Sequence, residues 1–80
     1  MKVEVRVYPR EGILDPQGKA IASALARLGH TAVTDVRAGK VFFLDVSGED
    51  RSWAEAEARR MAEELLANTV IEGYDVRVLE

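Results

Sequence analysis

Between Asp15 and Lys40 the chain reads DPQGKAIASALARLGHTAVTDVRAGK, and this stretch marks both ends of a helix and so constrains everything around it. Asp15 is placed as an N-cap, with Pro16 at the first helical position, where a missing N–H costs nothing and the fixed φ is already helical. Ile13 or Leu14 can staple the entry by packing back onto the first turn. Ile21, Ala24, Leu25 and Leu28 then follow at i, i+3, i+4 and i+7, the spacing that sets one apolar stripe against a core. Gly29 is the natural C′ residue. The pattern predicts a first helix from Pro16 to Leu28. Gly18, in its first turn, costs up to about 1 kcal/mol relative to alanine, so its lack of a side chain serves close packing or close approach by a partner.

The flanking segments read as strands and a second helix. Lys2 to Tyr8 alternates, with Val3, Val5 and Val7 on one face and Lys2, Glu4, Arg6 and Tyr8 on the other. Thr31 to Arg37 is predicted as a second strand, although Val33 and Val36 have opposite parity and require a bulge or two partly covered faces. Ala38 and Gly39 allow a tight hairpin into a third strand, Val41 to Ser47, whose inward face is Phe42, Leu44 and Val46. Val41 and Phe43 fall on the opposite face, where a homodimer or partner contact is the natural cover. Ser52-Trp-Ala-Glu55 matches a capping box, with Asp50 as a rival cap, and Ala54, Ala58, Met61, Ala62 and Leu65 form the buried stripe of the second helix. Asn68 can end that helix, and Tyr74 to Leu79 is the last strand. The resulting order is that of an α+β, ferredoxin-like βαββαβ domain spanning residues 1–80, a four-stranded antiparallel sheet with two helices on one face.

Composition narrows the function. A chain of 80 residues buries only about 60% of the surface its unfolded form exposes, and without cysteine it has no disulfide to reinforce it, so self-association or a partner is favoured. The net charge of -3, spread along the chain, argues against nucleic acid and anionic membrane as general partners. The pattern offers neither a transmembrane span nor a signal peptide, which places the chain in the cytoplasm.

Chemistry-bearing constellations are missing as well. The single histidine, His30, follows the helix-ending glycine and has no cysteine or second imidazole to work with. The carboxylates are dispersed, and no phosphate-binding glycine loop is present, so neither catalytic nor metal-ligating residues are expected on the chain. Only Tyr8 and Phe43 are available to stack bases on the open sheet face, too little for an RNA-recognition module. An ACT-like small-molecule-binding regulatory module is the alternative reading of such a fold.

Three motifs add a specific resemblance. Leu14-Asp-Pro-Gln-Gly18, then Asp35-Val-Arg37 with Gly39-Lys40, then Leu66-Ala-Asn-Thr-Val-Ile-Glu72 followed by Tyr74 together resemble the PurS family, the small subunits of phosphoribosylformylglycinamidine (FGAM) synthase. The resemblance implies a complex in de novo purine biosynthesis, a glutamine-dependent, ATP-using C–N ligase. In it a glutaminase subunit (PurQ) releases ammonia and a synthetase subunit (PurL) joins that ammonia to formylglycinamide ribonucleotide. It also implies that this chain is a homodimer or higher homo-oligomer that docks the two catalytic subunits and assists ammonia transfer, with ATP and magnesium used by the synthetase and no cofactor on this chain. Under it Asp15, Pro16, Gln17, Gly18, Arg37, Lys40, Asn68, Thr69 and Glu72 are candidates for contacts with the partner subunits, and Val41 and Phe43 for self-association.

Overall fold

Strict alternation makes Lys2–Pro9 (β1) the centre of the sheet in the computed structural model, which describes residues 1–79. β1 pairs antiparallel with Lys40–Asp45 (β2) on one side and with Glu72–Val78 (β3) on the other, in the order β2-β1-β3. Val3 lies opposite Leu44 and Val78, and Val5 opposite Phe42 and Val76, so the inward face is a patch of β-branched and aromatic residues. Val3 and Val5 are fully buried. The chain start is tied to the sheet, the Met1 ammonium donating to Val46 O at 2.8 Å and Val46 N donating to Met1 O at 2.8 Å.

The helix Arg51–Met61 (α2) covers this face. Its contact residues are small: Ala54, Ala58 and, in the π-helical turn Ala62–Leu66 that extends it, Ala62 are all buried against the valines. Methyl side chains let the helix backbone sit close to the sheet, which suits a core this thin. Asp50, not Ser52, is the cap: its Oδ1 accepts from Ser52 N at 2.9 Å and Trp53 N at 3.3 Å. The helical run ends one residue before Asn68, with Ala67 extended.

Two expectations are overturned. Among the described residues the sheet has three strands, not four, because Thr31 and Ala32 form a turn and residues 33–39 run without ladder partners into β2. Positive φ occurs at Gly12, Gly29 and Gly48, not at Gly39, and the chain does not reverse at Ala38-Gly39 as a hairpin would require. The opposite parity of Val33 and Val36 is thereby explained, since no pleat constrains it. Gly39 serves another purpose: a Cβ there would lie 2.6 Å from Val7 O, so glycine lets the entry to β2 run tight against β1.

The second correction concerns Pro16–Arg27 (α1), whose stripe was expected to meet the core. Gly18 is the one residue it buries, while Leu28 at its end is 75% exposed and Ile21 is 38% exposed. α1 projects from the sheet. The molecule measures 48 × 25 × 14 Å, and its radius of gyration of 15.8 Å exceeds the about 12 Å that a compact chain of this length would have. The helix is formed by its own cap and periodicity, and its apolar side is left uncovered.

Candidate functional site

Three chain segments meet where α1 leaves the sheet. Asp15, in extended conformation at the N-cap, accepts from Gly18 N through Oδ1 at 3.0 Å and from Ala38 N through Oδ2 at 2.7 Å. One carboxylate therefore fixes the helix start to the segment entering β2. The Gly18 amide, then that of Ala38, hold its carboxyl below the usual range, with the Gln17 amide and the Arg37 charge adding to the effect and burial opposing it. Lys19 N donates to Asp15 O at 3.0 Å, so the cap residue is engaged through backbone as well as side chain.

Arg37 closes the same corner from the other side, its guanidinium donating to the carbonyls of Pro9 and Arg10. Arg10 extends the connection: its amide donates to Ile71 O at 2.9 Å and its Nε to Thr69 O at 3.1 Å. Around Asn68 the turn is self-contained, with Glu72 Oε1 accepting from Asn68 N at 2.7 Å and Asn68 Oδ1 accepting from Val70 N at 3.2 Å. Glu72 also faces Lys40, Oε2 to Nζ 3.9 Å. A cavity of about 230 Å³ opens among Ile13, Leu14, Pro16, Gln17, Ile71 and Glu72.

The structure thus gathers Asp15, Pro16, Gln17, Gly18, Arg37, Lys40, Asn68, Thr69 and Glu72 at one end of the molecule. Val41 and Phe43 lie elsewhere, on the outer sheet face, opposite Arg6 and Glu4 of β1 and 45% and 74% exposed. Sequence reasoning left Arg10 as an ordinary loop residue, yet it joins the first loop to the Asn68–Glu72 turn. No spacing in the sequence marks that role. Leu14 and Val70, 69% and 81% exposed, add apolar surface to this end.

Hydrogen-bond donors, paired carboxylates and exposed apolar side chains suit the corner to binding. Among the described residues no group of three or more histidine, cysteine or carboxylate side chains is placed to hold a metal ion, and no helix is long and apolar enough to cross a membrane.

The family model described as PurS, phosphoribosylformylglycinamidine (FGAM) synthase, matches residues 2–80. The chain belongs to the PurS family. PurS of Mycobacterium leprae is 53% identical over 72 residues, which cover 90% of this chain and 87% of that one. The solved structure of Bacillus subtilis PurS superimposes with a TM-score of 0.86 at 44% identity, covering 99% of this chain and 98% of that one. A chain of the solved PurLQS structure from Thermotoga maritima matches with a TM-score of 0.85 at 34% identity, covering 95% of this chain and 93% of that one. As a PurS-family chain it is a subunit of FGAM synthase, in purine biosynthesis, and the ACT-like regulatory alternative is not favoured.

Proposed function

We propose that this PurS-family chain is the non-catalytic subunit that docks the glutaminase PurQ to the ATP-dependent synthetase PurL and assists ammonia transfer between them. The observation that carries this is the projecting α1, whose apolar residues Ile21 and Leu28 have no core to cover them and whose base is fixed by Asp15 and Arg37. A helix held rigidly at its root and left apolar along one side is ready-made binding surface. The likeness to a chain of the Thermotoga maritima PurLQS structure supports the same partners. Held together, donor and acceptor sites see a high local ammonia concentration without any chemistry on this subunit. ATP and magnesium then act on the synthetase, and the assembly works in the cytoplasm.

A second copy is the first cover for α1. The extended residues 33–39, without ladder partners, and the outer edge of β2 are complementary in the same chain, so two copies pairing there would supply the fourth strand of a ferredoxin-like sheet and bury the α1 stripes together. Light scattering on the purified chain, alone and with the cognate PurL and PurQ subunits, tests both levels. A homo-oligomer that enters a larger complex is expected, and a monomer that joins neither subunit contradicts the proposal.

A further inference from the structure

On the outer sheet face, Arg6, Tyr8, Arg37, Gly39, Lys40 and Val41 enclose an open cavity of about 250 Å³. Its charged lining is entirely cationic, although the chain carries a net -3. Arg6 forms no ion pair or side-chain hydrogen bond among the described residues. Arg37 gives its guanidinium to two backbone carbonyls, which fix its position without neutralising it. Lys40 reaches a carboxylate only at 3.9 Å, on Glu72. Asp75, across the ladder from Arg6, accepts from the Tyr8 hydroxyl at 3.5 Å and is the acidic residue nearest in register. The tight passage at Gly39 keeps Arg37 and Lys40 on either side of the opening.

We infer that this groove receives an acidic segment of a partner subunit, its carboxylates meeting Arg6 and Lys40 and its apolar side chains lying on Val41 and the neighbouring Phe43. The inference rests on the docking role proposed above and assigns that role a surface apart from the Asp15 corner. Charge complementarity selects the occupant: two cations with little or no compensation, beside apolar residues that are 45% and 74% exposed, suit a polypeptide carrying both acidic and apolar side chains. A free phosphate would leave the apolar part of this surface in water.

Arg6→Glu, Arg6→Gln and Lys40→Glu are titrated against the cognate PurL and PurQ subunits at low and high salt, with thermal midpoint and homo-oligomeric state measured alongside. The groove account expects each charge reversal to weaken assembly by about tenfold or more and to flatten its salt dependence, with Arg6→Gln intermediate and the midpoint and homo-oligomer unchanged. Wild-type affinity and salt slope in the variants overturn it, as does a loss that follows the homo-oligomeric state. Inorganic phosphate bound by the wild type alone and blocking assembly would also overturn it, by making the groove a small-anion site. Failure of the wild-type chain to assemble at all removes the docking role itself, an outcome distinct from assembly that ignores Arg6.

Discussion

Gly18 packs its bare Cα against the Val36 carbonyl: a Cβ at position 18 would overlap that oxygen and come within 2.8 Å of Asp15 Oδ2. Gly18→Ala should therefore destabilise the protein, even though alanine is the better helix former by about 1 kcal/mol. The obstructing atom is backbone, held by the neighbouring Asp15–Ala38 bond, so the about 1–3 kcal/mol of overpacking outweighs the propensity gain. Calorimetry should show a midpoint several degrees lower, at roughly 4–8 °C per kcal/mol for a domain this small. A raised midpoint would mean that α1 and Val36 separate easily.

Asp15→Asn should change the acid dependence of stability. The amides of Gly18 and Ala38 lower the carboxyl below its ordinary value of 3.8, so ionisation favours the folded form. That contribution is complete above 3.8 and disappears as pH falls through the lower folded-state value. Asp45, similarly lowered by Lys2, titrates in the same window and is common to both proteins. Thermal midpoints compared from neutral pH to pH 3 should show the gap between wild type and Asp15→Asn closing on the acid side. A gap constant with pH would mean that the charge contributes nothing.

Ile21→Asp and Leu28→Asp test what α1 is for. Neither side chain is buried in the isolated chain, so both variants should keep the helix content and sheet of the wild type by circular dichroism. If a second copy covers the stripe, each substitution removes about 1.5–3 kcal/mol of burial, a weakening of self-association by about tenfold or more in sedimentation. Unchanged association would place the contact elsewhere, with Val41 and Phe43 next in line.

Local chemistry was the legible part of this structure. The β1 valines, the Asp15 cap and the need for a side-chain-free Gly18 all follow from residue types and spacing, since each is decided within a few residues. The Thr31–Arg37 strand was misjudged because β-branched residues favour a strand only where a ladder is available, and the Val33–Val36 parity conflict was the sign that none was. Periodicity identified the apolar side of α1 but carried no information on whether the same chain supplies its cover. Arg10 was invisible for a similar reason: its partners, Thr69 and Ile71, are distant in sequence and are bonded through carbonyls, which residue types do not encode.

The central claim is that this chain couples two active sites without performing chemistry. The most direct test is FGAM synthesis by the cognate PurL and PurQ subunits, with and without this chain, using glutamine or free ammonium as nitrogen donor. The account predicts that the glutamine-driven rate falls sharply without the chain while the ammonium-driven rate is largely retained. Equal glutamine-driven rates with and without it would contradict the account.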